Sequence, residues 1–375
     1  MIRVQFNGRV YFLDAARAIL MFLGIPYHVA LVYAQGNDWI FAKSEDTSGF
    51  LKYLAEAIHI FRMPLFFVVA GYFAFMMLDR KGAGAWFGGR TVKLGVPLLA
   101  AAFLLNPLSL WAQDDSMELI TSSGDHWLAH LWFLTTLLVQ CGVLALLAMT
   151  PLQARFKAMV DALVERPVVG VVALVLMTGV ISGIGSMLGK HVPETLVLKI
   201  TLLSAIGYAP FLLLGVAMRM NQRVLHFMST SSVASLVVTL LAVAFLLVVP
   251  WGGFALNVGR MFISTVACIG VARALFSACR MLLDVPSSAI RKVADASFTV
   301  YLVHFPLLNL FYKWIEPAHI PVLSEFVLLC GLVTAVSFAI HVVVERSGIL
   351  MFLFNGVPLP KNAFRLRKSE VRLHE

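Results

Sequence analysis

Arg17 and His28 stand eleven residues apart in an apolar stretch of the sequence. At 100° per residue a straight helix returns them to within about 20° of one face, roughly 16 Å apart along its axis. A fixed cation can hold an anion, and a base that titrates near neutral pH can move a proton. His59 and Arg62 are spaced i, i+3 and share a helix face. His130, His304, His341 and Glu345 complete the ionisable set inside apolar stretches. Burying such a group in a membrane span costs at least about 2.5 kcal/mol, which makes each a functional candidate. A polar seam or a hydrogen bond between packed helices would explain any one of them; it is their number that points to a shared site. Pro26, Pro64 and Pro306 each lie two residues from His28, Arg62 and His304. A mid-span proline frees the carbonyl four residues earlier and kinks the helix, a cost tolerated in a membrane where protein or a wet cavity surrounds it.

Three other patterns carry less. His126 and His130 have the i, i+4 spacing of metal ligands, but no glutamate follows the zinc-protease pattern and no third ligand is evident, so no metal site is assigned. The glycine-rich stretch from Lys81 to Arg90 is not a phosphate-binding P-loop and reads as a flexible turn. The basic segment 361–372 is explained by topology and anionic lipid.

The elements that must position these residues are membrane helices. Of 375 residues 60% are hydrophobic and 13% charged, whereas a soluble domain carries about a quarter charged residues. Stretches of roughly 20 apolar residues, enough to cross a bilayer core, fall at 12–34, 52–78, 93–111, 127–149, 167–187, 199–218, 232–250, 257–278, 294–314 and 324–345. The expected fold is an all-α bundle of about ten transmembrane helices, residues 1–350 forming one membrane domain and 351–375 a basic tail. Short alternating segments of a β-barrel are absent from the pattern, and no fixed-period repeat is apparent. The first apolar run is interrupted by Asp14 and Arg17 and has no convincing cleavage site, so it reads as a retained helix.

With the N-terminus inside, 21 of the 29 lysines and arginines fall on cytoplasmic segments, the positive-inside bias. Trp39, Trp111, Trp127, Trp251 and Trp314 then lie near the outer interface, as an aromatic belt would. Both termini are expected in the cytoplasm. The net charge of +9 is accounted for by this asymmetry, so no nucleic-acid partner is implied. Cys141, Cys268, Cys279 and Cys330 all fall in apolar stretches without paired spacing, the pattern of buried free thiols.

These residues resemble the acyltransferase 3 family of membrane acyltransferases. The family signature of a basic residue, ten residues, then His is matched by Arg17 and His28. The stretch from Phe61 to Tyr72 is similar to the family's proline- and Phe-rich span, with Ala70 where serine is common. His130-Leu131-Trp132-Phe133-Leu134 and the block from Ser297 to Pro306 also match, in family order along nearly the whole chain. Within the family, Tyr11-Phe12-Leu13-Asp14, Leu23 to His28 and His59 to Met63 resemble members that succinylate osmoregulated periplasmic glucans.

The resemblance implies a bacterial inner-membrane enzyme that takes an acyl group from cytoplasmic acyl-CoA, succinyl-CoA above all, and places it on a periplasmic glucan hydroxyl. CoA is a co-substrate here, with no permanently bound cofactor, and other proteins of glucan biosynthesis are candidate partners. Arg17, Arg90 and Lys93 would hold the CoA phosphates. His28 would act as general base, while His59, Arg62 or His304 would steady the oxyanion or the succinyl carboxylate. His130 and Trp132 would face the acceptor. With no cysteine, and no serine beside a histidine, at the outer site, direct transfer is favoured over an acyl-enzyme. Acetyl transfer to another surface polysaccharide and transport of an acylated precursor are the rivals. Transporters often show inverted repeats, and no repeat is visible in the sequence.

Overall fold

In a hydrocarbon layer every backbone N–H and C=O must be satisfied within its own segment, and the apolar runs of this chain fold accordingly as helices. The computed structural model describes residues 10–34, 42–112, 128–189, 197–250 and 252–359. Within them, in order, run α1 (Tyr11–Phe22), α2 (Gly24–Val32), α3 (Gly49–Lys81), α4 (Ala83–Leu104), α5 (Asn106–Ala112), a 3-10 turn (Ala129–Leu131) and α6 (Trp132–Ala148). They are followed by α7 (Leu152–Val164), α8 (Pro167–Gly189), α9 (Val197–Met220), α10 (Gln222–Met228) and α11 (Val233–Val248). The chain closes with α12 (Phe254–Leu283), α13 (Ser288–Ile315), a 3-10 turn (Glu316–Ala318), α14 (Val322–Glu345) and α15 (Gly348–Asn355). No strand occurs among the described residues. Nine of the described helical segments are long and apolar enough to cross a membrane, ten if the bent pair α10–α11 counts as one. The all-α membrane bundle expected from the sequence is therefore the fold of the protein.

Helix ends follow the local chemistry. Ser48, Ser287 and Ser347 each accept a backbone N–H three residues on, at 3.4 Å, and start α3, α13 and α15. Ser232 and Ser235 form a reciprocal capping box on α11. Where carbonyls would be orphaned, arginines supply donors. Arg260 hydrogen-bonds Val249 O and Leu246 O at the end of α11. Arg273 donates to Phe227 O in the last turn of α10 and to Thr230 O just beyond it, and stacks on the Phe227 ring at 4.1 Å. A cation at a helix C-terminus also meets the negative end of the dipole.

The central seam joins α3 to α9, the most extensively packed helix pair. A Cβ at Gly71 would stand 2.1 Å from Leu212 O, and one at Gly215 would stand 1.9 Å from Val68 O. Two backbones meet directly there, as small residues allow in membrane helices. α13, buried along most of its length, packs on α14, α1 and α5. Exposed Leu, Val and Met side chains on α8, α11 and α14 face outward, where lipid replaces water.

Two sequence expectations change. The glycine-rich stretch is not a flexible turn: only Gly82 (φ +77°) breaks the chain, and from Ala83 to Arg90 it is the first two turns of α4. Packing overrides the low helix propensity of its glycines, with Trp86 buried and Phe87 lying 3.4 Å from the position a Gly142 side chain would take. The expected span 232–250 is a helix of 16 residues, bent 66° from α10. At 1.5 Å per residue it rises about 24 Å, short of a hydrocarbon core of about 30 Å. All four cysteines are free, with Cys141, Cys268 and Cys279 buried. Trp39, Trp127, Trp251, His126 and segment 361–372 lie outside the described residues, whereas Trp111 and Trp314 are exposed and Lys313 lies 5.5 Å from the Trp111 ring.

Candidate active site

The three prolines act differently. The first span breaks at Leu23, just ahead of Pro26, whereas α3 and α13 run on through Pro64 and Pro306. The carbonyls that the latter two prolines release find side-chain donors instead. Ile60 O accepts the Cys268 thiol at 2.9 Å, and Leu302 O accepts His130 Nε2–H at 3.3 Å. Tyr301 OH in return donates to His130 O at 2.7 Å. Pro306 thereby creates the acceptor that orients His130. The bond also fixes the tautomer: with Nε2 protonated, the lone pair is on Nδ1, which has no hydrogen-bond partner among the described residues.

His304 is set by its own helix. Its Nδ1–H donates to Tyr301 O at 2.7 Å and Val300 O at 3.2 Å, leaving Nε2 as the lone-pair nitrogen, again without a partner among the described residues. The ring lies 5.2 Å from His28 and 5.3 Å from His130, centroid to centroid. Phe305 fills the angle between His28 and His130, at 5.4 and 4.9 Å. All three histidines are at most 3% exposed. Immediately before His130, Ala129 adopts φ +42°, in the left-handed region. That costs an L-residue roughly 1–2 kcal/mol, and such strain concentrates where surrounding structure imposes a geometry.

Beside this group lies a cavity of about 260 Å³. Its lining includes His28, His59, Arg62, His130, Trp132 and Tyr208. The sequence candidates from four separate helical segments thus converge, with His304 just behind the wall against His28 and His130. His59 stands exposed at the rim, hydrogen-bonded through Nδ1 to Tyr27 OH at 3.1 Å and stacked on the Tyr27 ring at 5.7 Å. Arg62 also meets the Tyr27 ring, its guanidinium lying 4.6 Å from the centroid. No carboxylate pairs with Arg62 among the described residues, and its buried Nε has no hydrogen-bond partner there.

Arg17, Arg90 and Lys93 are not in this cavity. Arg17 pairs with Asp14 at 3.5 Å and lies over Phe73 at 5.6 Å. Arg90 lies over Trp86 at 5.7 Å. Lys93 is within electrostatic range of Arg90, Arg17, Lys81 and Asp295, so these cations form one separate basic group. Gly356, in the left-handed region at φ +58°, caps α15 directly against it: a Cβ there would stand 2.4 Å from Lys93 Cα. Among the described residues no three His, Cys, Asp or Glu side chains converge as metal ligands would.

Sequence reasoning picked out Trp132 but gave no role to Tyr27 or Tyr208. Tyr27 bridges His59 and Arg62, and Tyr208 lies near-parallel to Trp132 at 5.9 Å and to Phe67 at 4.6 Å. A hydrogen bond of 2.8 Å between Thr135 and Thr201 ties α6 to α9 near that pair. Tyr27 adjoins His28 within the stretch from Leu23 that carries the family resemblance, whereas nothing in the pattern of α9 marks Tyr208.

Comparison with known proteins identifies the family. The family model described as an acyltransferase domain matches residues 10–342. Glucans biosynthesis protein C from Escherichia coli strain K12, from strain O81 (ED1a) and from strain O139:H28 (E24377A / ETEC) is in each case 30% identical over 383 aligned residues, covering 94% of this chain and 96% of the relative. No solved structure matches. With one domain model spanning nearly all the described bundle, the chain belongs to the acyltransferase 3 family and is a multi-pass membrane acyltransferase.

Proposed function

We propose that the protein moves a succinyl group from cytoplasmic succinyl-CoA to hydroxyl groups of periplasmic glucans, in the inner membrane of a bacterium. The observation that carries this reading is the convergence of His28, His130 and Arg62 on one cavity, backed by His304, with a basic group at Arg17, Arg90 and Lys93 elsewhere on the same bundle. Its relatives' name, glucans biosynthesis protein C, supports the acceptor. The orientation used here, both termini cytoplasmic, rests on the distribution of lysine and arginine.

The steps follow from the residues. Arg17, Arg90 and Lys93 bind the CoA phosphates at the cytoplasmic end, and the pantetheine arm carries the thioester up to the cavity. His28 takes the proton from an acceptor hydroxyl as its oxygen attacks the thioester carbonyl. The C–O bond forms, the C–S bond breaks, and the CoA sulfur leaves with the proton returned from His28. His304 and His130, held in fixed tautomers, wall the base on two sides, and His59 guards the rim. Arg62 supplies the positive charge that an anionic group entering this apolar setting requires. Trp132 and Tyr208 offer near-parallel rings to the acceptor sugar, with His130 beside them.

Purified protein in detergent, given succinyl-CoA and a β-glucan, should release free thiol in step with succinylated sugar. A His28→Ala protein that keeps its fold and still transfers succinyl at the wild-type rate would overturn the assignment of the base.

A further inference from the structure

Arg62 is a cation in a largely apolar wall, paired with no carboxylate among the described residues. Isolated buried charge is costly, so the feature calls for a ligand or a geometric reason. Gly24 supplies the geometry. A Cβ at Gly24 would stand 2.6 Å from Arg62 Nη1 and 3.6 Å from His304 Nε2. The glycine lets the guanidinium lie against the first turn of α2, with its planar group over Tyr27, and a larger residue there would oblige the Arg62 side chain to shift. The break at Leu23 ahead of Pro26 places Gly24 at the start of that helix. Gly24 and His28 are then i, i+4, one above the other on the same helix face.

We infer that Gly24 and Arg62 form a carboxylate seat for the far end of the donor's acyl group, and that Gly24 is the residue which sets acyl-group selectivity. The lengths agree. Four residues separate Gly24 from His28, a helical rise of about 6 Å. Two methylenes separate the succinyl carboxylate from its thioester carbonyl, about 4–5 Å with carbon–carbon bonds of about 1.5 Å. A carbonyl within reach of His28 therefore puts its carboxylate beside Arg62. The guanidinium fork matches a carboxylate bidentately, which a lysine would not. Acetyl leaves the seat empty, and glutaryl overshoots it by one methylene. This inference rests on the acyl-transfer reading above and adds which acyl groups the site takes.

Donor binding separates the seat from the transfer chemistry, because it needs no acceptor. Succinyl-CoA, acetyl-CoA and glutaryl-CoA are titrated into purified wild type, Gly24→Ala, Arg62→Met, Arg62→Lys and the Gly24→Ala/Arg62→Met double variant. Wild type should bind succinyl-CoA about 10–100-fold more tightly than acetyl-CoA, the range of a hydrogen bond to a charged group. Gly24→Ala and Arg62→Met should each collapse that ratio, and the double variant should collapse it no further than Arg62→Met alone. Arg62→Lys, which keeps the charge and tests against a simple folding defect, should retain part of the ratio. Equal affinity of wild type for the two esters overturns the seat while leaving acyl transfer intact. Additive losses in the double variant overturn the role of Gly24. Absence of transfer from any donor, with succinyl preference in binding retained, overturns the proposed reaction and supports the seat.

Discussion

Two clusters of buried polar groups hang on α13, and they are built on opposite principles. At Thr299, Oγ1 meets His341 Nδ1 at 3.0 Å and Asn355 Nδ2 at 3.0 Å, while His341 Nε2 reaches Glu345 at 3.3 Å. Every polar arm of that histidine is engaged, a carboxylate is at hand, and three helices are tied together. Five residues further along the same helix, about 7.5 Å of rise, His304 has one nitrogen bound to backbone and the other without a partner among the described residues. Its neighbourhood holds two more histidines and Arg62, with no carboxylate paired to Arg62 among the described residues. A satisfied network fixes one structure. A cluster left with lone pairs and an unbalanced cation is organised to receive something, and such groups gather at functional sites.

The sharpest way to break this contrast is to remove one histidine from each cluster. His28→Ala should lower the rate of transfer by about 100–10,000-fold, the usual worth of a general base, with thermal stability in detergent little changed. If His341→Ala proves the more damaging to turnover, the functional cluster has been misplaced. Arg90→Ala with Lys93→Ala should come next, raising the donor KM about tenfold with kcat largely kept, since phosphate contacts are made in ground and transition state alike. A matched fall in kcat would move these cations to the reacting centre. Tyr208→Ala should raise the acceptor KM by about 2–10-fold, in keeping with the worth of one aromatic contact, and should leave donor binding alone. The smallest effect on turnover is expected from His341→Ala: transfer within about twofold of wild type, but a lower melting temperature from about 1–3 kcal/mol of buried groups left unsatisfied.

How much of this was legible in the sequence follows from the price of charge in a membrane. His28, His59, Arg62 and His130 could be picked out because ionisable residues are rare in apolar spans, and the structure brings them to one cavity. The apolar runs gave the bundle for the same reason: length and hydropathy dominate where water is absent. Gly24 and Tyr27 stood in a recognisable stretch without a role, and Tyr208 in none, since aromatic residues and glycine are ordinary in membrane helices and acquire meaning only from what lies across the gap. The prolines were read as sites of kinking, yet their larger contribution is the carbonyls they release to Cys268 and His130. That depends on partners far along the chain, 208 and 172 residues away in these cases, and no local pattern encodes it. The stretch beginning at Lys81 was misread because glycine content signals a turn only where nothing packs against it, and Trp86 is buried.

The seam of Gly71 and Gly215 offers a calibrated wedge. α3 carries His59 and Arg62 and α9 carries Tyr208, so the two helices form facing walls of the cavity while their backbones touch farther along. No side chain lies between them to yield. An alanine at either glycine must drive the walls apart by about an ångström, a displacement that costs some hundredfold in rate when it reaches reacting groups. Inserting progressively larger residues there makes the joint a ruler, reading how far the walls can part before acyl transfer stops.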